Sequence, residues 1–357
     1  MLIELRKIYS IKIQEENAVR ENHDVISNSK LLFSGKDLLE AIILTGMLPP
    51  HLKEDVGAYS NVRKNEVLFK IHLVEMALKE VGGVISIDEV NFNELESSEK
   101  RAVDYYLGMF FATLMIRKHF KYEYAIHYSK FRKSSLCKSI QPKHILDRIE
   151  PDIIAIDRLN KNRGVFEAKG HLGTKIDASV VEHAYDQVHQ VASINHIRVK
   201  DRYVLYSILN EDANVIDYKD PDGNENIDLD IYMALLSQYI PIVQLIEELG
   251  YQDNGYRIRA SKLKINSETE ITFQIAKKDF ELIKSIDGEF IEKYDKLEAE
   301  EIKDILKKEY STKMNKTNNN NIYAVKELYD QLESLFFKRK KGGHFITIKE
   351  YENSNLK

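Results

Sequence analysis

The chain has 357 residues, 43% of them hydrophobic and 31% charged, with 15 glycines and 6 prolines. That mixture excludes disordered, collagen-like and low-complexity classes and supplies a sizeable core, in two or three domains or one elaborated one. With 52 basic against 57 acidic residues the formal charge is −5, which excludes a uniformly basic coat and leaves room for a local basic groove.

Alternating residues predict a strand over Leu2 to Ile13. Helical spacing of Leu38, Leu39, Ile42, Ile43 and Met47 follows, with Pro49-Pro50 as the expected stop. A second helix through Leu68, Ile71, Val74 and Leu78 is expected to end at Gly82-Gly83. A third is expected from Ser98 to His119, carrying Val103, Leu107, Phe110, Phe111 and Leu114 behind a Ser-Ser-Glu start. Three strand-like runs come next: 121–128, 151–157 and 164–170. A helix over Asp177 to Ile194 and an apolar strand over 202–209 complete a compact α/β unit. Beyond KDPDGNEN, Asp228 to Leu249 reads as an apolar helix kinked or broken at Pro241. Lys313 to Asn321 reads as a polar linker, and Ile322 to Phe336 as another helix. Three regions result: a mixed α/β N-terminal region (1–96), structural or partner-binding, an α/β core (97–218) and a mostly helical C-terminal region (219–357).

Chemistry concentrates in EPDIIAIDRLNKNRGVFEAKG (150–170), two apolar strands joined by a polar turn. Period-two alternation puts Glu150 and Asp152 on one face of the first strand, and Glu167 and Lys169 on one face of the second. If the strands pair, Asp152 and Glu167 converge beside an ammonium. Two hard carboxylates suit Mg²⁺, which takes one or two of them and keeps waters for a phosphate ligand. A lysine there can orient or deprotonate an attacking water.

Pro151-Asp152, 14 intervening residues and then Glu167-Ala168-Lys169 together resemble the signature of the PD-(D/E)XK nuclease superfamily. The resemblance covers roughly 98–210. It implies a restriction-endonuclease-like α/β (α+β) core, a mixed central sheet flanked by helices, and Mg²⁺-dependent phosphodiester cleavage, with Mn²⁺ able to substitute. It makes Asp152 and Glu167 metal ligands, joined by the Ala168 carbonyl, and Lys169 the water-activating group. Many members carry an acid on the preceding helix, here Asp104 ahead of Glu99, and a glutamine on the following one, here Gln187 ahead of Gln190. Glu150 either joins the metal cluster or faces solvent. DNA is the implied partner, with RNA left open. Analogy with bacterial restriction and anti-phage defence nucleases adds a helicase or ATPase partner and a homo-oligomer. The alternative is a catalytically inactive nuclease-fold subunit that binds nucleic acid or assists assembly, a reading the long flanks favour.

Other signals carry less. Cys137 stands alone, which excludes an intramolecular disulfide and a cysteine-rich zinc site. His171, His183, His189 and His196 lack zinc-site spacing. The first residues do not resemble a secretory signal, and the longest apolar runs, such as 109–116, fall well short of the ~18 residues of a membrane span. A cytoplasmic protein without a membrane partner is expected. Basic runs at 117–121, 129–138 and 338–344 are candidate phosphate contacts, the second lying nearest the motif. With no Gly-rich phosphate loop, the chain is expected to have no ATPase of its own.

Overall fold

A computed structural model describes residues 4–17, 25–45, 47, 61–134, 136–137, 150–171, 183–184, 187–188, 190–208, 214–219, 225–265, 269–286, 288–307, 320–338 and 346–350. In chain order the first elements are β1 (Ile8–Asn17), β2 (Val25–Ser34), α1 (Gly35–Leu44), α2 (Val62–Ala77), β3 (Leu78–Val81), β4 (Val84–Ile87), α3 (Glu89–Asn93) and α4 (Ser97–Lys118). Next come β5 (Tyr124–His127), α5 (Tyr128–Arg132), β6 (Ile153–Ile156), β7 (Arg163–His171), β8 (Val191–Ile194), β9 (Ile197–Ile208), β10 (Asn214–Lys219) and β11 (Glu225–Ile227). The last part holds α6 (Ile231–Leu249), β12 (Tyr251–Asp253), β13 (Arg257–Ala260), β14 (Leu263–Lys264), β15 (Glu270–Ala276), α7 (Lys277–Lys284), α8 (Gly288–Asp295), α9 (Ala299–Lys307), α10 (Asn320–Phe336) and β16 (Ile346–Glu350).

The chain is mixed α/β. Strands β1 to β11 form one mixed sheet whose main path runs β3-β4-β1-β10-β9-β7-β6-β5. β1 pairs parallel with β10, Lys12 opposite Asn214, so the first 96 residues share a sheet with the core. β5, β6 and β7 are successive antiparallel neighbours, whereas β7 and β9 run parallel. A parallel pair needs a crossover. The expected crossover helix falls mostly outside the described residues, although 183–184 and 187–188 are helical.

Several expectations need correcting. The first helix ends at Leu44, before the proline pair, and it starts on a capping box. Asp37 N–H donates to Ser34 Oγ at 3.2 Å while Ser34 N–H donates to Asp37 Oδ2 at 2.9 Å. The second helix yields at Leu78 to a strand, and Gly82-Gly83 is a hairpin turn, both glycines having positive φ (62° and 83°). Val191 to Ile194 is strand, not helix. It turns into β9 through Asn195 and His196, both with positive φ, a two-residue hairpin whose Asn signal the helical reading overrode. Helix α6 is not broken at Pro241: it continues through it, held by a largely buried surround rather than by its interrupted hydrogen bonding. The C-terminal region keeps five helices among its described residues but is not helical alone. It contains a five-stranded sheet ordered β12-β13-β15-β14 with β16 on β15, and alternating burial in β13 marks its half-buried face.

Asp230 ties the C-terminal helices to the core. Fully buried, it caps α6 by accepting from Met233 N–H at 3.1 Å, and it also accepts from the hydroxyls of Tyr294 (2.9 Å) and Tyr329. Burial pushes its carboxyl up, opposed by those donors.

Helix α4 lies across β7. A Cβ on Gly170 would fall 1.8 Å from the Asp104 carbonyl oxygen, and one on Gly108 would fall 2.5 Å from Gly170 N. Backbone therefore meets backbone at this crossing, and both positions require glycine. Among the described residues no helix is long and apolar enough to cross a membrane.

Candidate active site

Strand register assembles the site. β6 and β7 pair with Ile153 opposite Phe166, and one further step sets Asp152 opposite Glu167. Asp152 N–H donates to Glu167 Oε2 at 3.1 Å, and Ala168 N–H donates to Asp152 Oδ2 at 3.0 Å. Glu167 is 1% exposed. Lys169, two residues along the same face, ion-pairs with Glu167 Oε1 and donates to Gln187 Oε1 at 3.2 Å. Gln187 Nε2 in turn donates to the Glu150 carbonyl at 3.2 Å, which closes a ring two residues before Asp152.

Burial sets the electrostatics of this ring. Burial, then the nearby Asp152, push Glu167 up to about 8, while Lys169 opposes. Burial also raises Asp152, against Lys169 and the Ala168 N–H. Two carboxyls held together out of water repel when both ionise, and a divalent cation would relieve that repulsion. The donor set of carboxylate oxygens matches hard ions such as Mg²⁺. Among the described residues, no set of three or more His, Cys, Asp or Glu side chains could hold a metal ion, so Asp152 and Glu167 would have to serve with water.

Asp152, Glu167, Lys169 and Gln187 are brought together. Asp104 lies beside them through its backbone, at the α4–Gly170 contact, but its carboxyl makes no hydrogen bond to the ring. Its Oδ1 is buried without a partner among the described residues, and burial pushes the group up to about 7. Glu99 accepts the Glu96 N–H at 2.9 Å as a helix cap, one turn position away from the expected Ser-Ser start. Gln190 fixes β11 through its carbonyl, which accepts from Glu225 N–H at 2.7 Å. Glu150 neither joins the carboxylate pair nor stands free, because its carboxylate pairs with Arg132. Ala168 contributes its N–H to Asp152.

Among the described residues, several cations of the basic runs already have partners. Arg117 and Lys118 pair with Glu40 (3.2 Å) and Asp37 (3.0 Å). Phe131 is buried and unavailable for stacking. Lys338 pairs with Glu333, and residues 339–344 of the third run lie outside the described residues. Of the histidines, His189 also lies outside them, whereas His196 is exposed and 3.8 Å from Asp228.

Tyr105 and His127 escaped the sequence reading. Tyr105 Oη lies 3.2 Å from His127 Nε2, and His127 Nδ1 accepts from Lys130 N–H at 3.3 Å. Burial, then Lys130 and Lys70, hold His127 down to about 3, so it is neutral. With Nδ1 accepting, Nε2 carries the proton and donates to Tyr105, whose own O–H stays available. Burial, then the field of Asp152, pushes the Tyr105 phenol up to about 12. The only sequence signal was a histidine ending the apolar strand YAIH, which reads equally well as core.

Comparison with protein-family models, with curated proteins and with solved structures finds no match.

Proposed function

We propose that this chain is a Mg²⁺-dependent nuclease that hydrolyses phosphodiester bonds, with DNA as substrate and Mn²⁺ as a substitute ion. The observation that carries this reading is the ring Asp152–Glu167–Lys169–Gln187, in which two converging carboxyls sit against a directed ammonium. A restriction-endonuclease-like core is part of the same proposal, supported by the mixed sheet crossed by α4 at Gly170. So is a cytoplasmic setting in bacterial restriction or anti-phage defence, with a helicase or ATPase partner, an analogy that rests on fold and motif.

When bound, Mg²⁺ supplies Lewis-acid stabilisation of the charge developing on the scissile phosphate. Asp152 and Glu167 would hold it, with Ala168 beside them. Lys169 has three N–H donors, of which Glu167 and Gln187 take two. The third is free to orient a water or a phosphate oxygen, and Gln187 fixes its direction. The Tyr105 O–H offers a second donor for a phosphate oxygen. Incubation of the full chain with plasmid and Mg²⁺, against an EDTA control, tests the proposal. Asp152→Ala, Glu167→Ala and Lys169→Ala should each abolish cleavage while leaving the circular dichroism spectrum unchanged. Full activity in any of the three overturns it.

A second reading, a catalytically inactive subunit that binds nucleic acid or assists assembly, is favoured by one observation. Both Glu167 oxygens and Asp152 Oδ2 already have donors within the chain, as they would in a purely structural network. Calorimetric titration with Mg²⁺ separates the two, since the structural network should take up none.

A further inference from the structure

Arg163 opens β7 on the same face as Glu167, four residues away, or about 13 Å along the strand. It is 1% exposed and lines a cleft of about 480 Å³ between the β8–β9 turn, the start of α6 and helix α9. Its Nη2 donates to Asn160 Oδ1 at 2.7 Å and its Nη1 to the Asn162 carbonyl at 3.2 Å, but its Nε has no partner among the described residues. No carboxylate ion-pairs with it there. Asp157, the acid whose field it feels, directs its oxygens to Lys161 N–H, Asn162 N–H and the Asn162 amide. A buried guanidinium with unused donors, whose nearest counter-charge, Asp157, spends its oxygens on other donors, is costly unless something supplies an anion.

The rest of the cleft fits such a guest. Leu229, Ile231 and Tyr232 give it an apolar wall, while Lys303 at the rim is held by Asp228 (3.2 Å) and Glu300 (3.2 Å). The wall is rigid. Asn195 bonds the Leu229 backbone twice, donating to its carbonyl at 2.8 Å and accepting its N–H at 2.6 Å. Its volume lies in the range of small-molecule sites.

We propose that this cleft binds a small organic anion, its phosphate or carboxylate head on the Arg163 guanidinium and its apolar or aromatic body against Leu229, Ile231 and Tyr232. The site is separate from the carboxylate ring and needs neither Mg²⁺ nor nucleic acid, so it stands or falls independently of the nuclease reading.

Calorimetric titration of the full chain with adenosine monophosphate, phenyl phosphate, benzoate and inorganic phosphate, each to about 5 mM and without divalent metal, tests it. At least one organic anion should bind 1:1, at least tenfold more tightly than inorganic phosphate. Arg163→Gln should weaken that binding at least tenfold, and Leu306→Trp, which fills the cleft from α9, should do so without touching the guanidinium. If Arg163→Gln fails to fold, Leu306→Trp alone decides. No binding of any organic anion overturns the proposal, as does equal binding of inorganic phosphate or unchanged affinity in Leu306→Trp.

Discussion

Asp152 gives its backbone N–H to the carboxylate of Glu167, the residue opposite it across the β6–β7 register, at 3.1 Å. One carboxyl is thus anchored on the strand end that carries the other, and both are largely withdrawn from water. Glu167, ordinarily near 4.5, is pushed up to about 8 by burial and Asp152. The folded chain therefore binds this proton more tightly than the unfolded one, and stability falls as pH rises between those two values. The metal-free protein should lose thermal stability between about pH 5 and about pH 8 in a melting series at roughly half-unit steps. Glu167→Gln should flatten that slope and melt higher than wild type at about pH 8, by roughly 2–4 °C per kcal/mol recovered. Parallel slopes for the two proteins would show that Glu167 is not the group responsible.

The same linkage governs metal uptake under the nuclease reading. A cation needs both carboxyls ionised, so binding must displace the proton that Glu167 holds near neutrality. Mg²⁺ affinity should rise with pH up to about 8 and level off beyond it. Calorimetry at pH ~7 in two buffers of different ionisation enthalpy should show release of up to about one proton per ion. Heats independent of the buffer would mean that the carboxyls are already ionised in the free protein.

Under the nuclease reading Gln187 acts through Lys169: it accepts from Lys169 Nζ at 3.2 Å while tethered to the Glu150 carbonyl. Removing one such bond releases about 0.5–1.5 kcal/mol of orientation. Gln187→Ala should therefore lower kcat for plasmid cleavage by about 2- to 13-fold, with KM and melting temperature little changed. Gln187→Glu keeps the acceptor and should recover part of the loss. A change confined to KM would indicate contact with substrate instead of positioning.

The pairing of Asp152 with Glu167 was legible because period-two alternation and a Pro-Asp strand start constrain the register almost completely. Gln187 was legible only through the family resemblance. Tyr105 and His127 were not, since nothing local tells a buried histidine that orients a phenol from one that merely fills space. The continuity of β1 with β10 was hidden for a different reason. Parallel pairing across some two hundred residues leaves no short-range pattern, whereas the hairpin at Asn195-His196 did leave one. In the C-terminal sheet β12 and β14 are two or three residues long, too short for alternation to show, and the central strand β15 is buried at three successive positions, which hides its period of two. Arg163 falls one residue short of the strand expected over 164–170, and only burial makes its unpartnered Nε visible.

The α4–β7 crossing puts the whole arrangement under one steric constraint. A methyl group on Gly170 would lie 1.8 Å from the Asp104 carbonyl oxygen and 2.4 Å from its carbon, with no flexible side-chain end to move aside. Either the helix lifts or the strand bends, and Lys169 is the next residue along that strand. Gly170→Ala should destabilise the fold by about 3 kcal/mol, near the upper end of overpacking penalties. Under the nuclease reading it should also reduce cleavage far more than Gln187→Ala does, since displacing the strand misplaces Lys169 and Glu167 together. Denaturant titration measures the first effect, and plasmid cleavage on the folded fraction measures the second. A Gly170→Ala protein with wild-type midpoint and activity would show that α4 and β7 do not meet backbone to backbone.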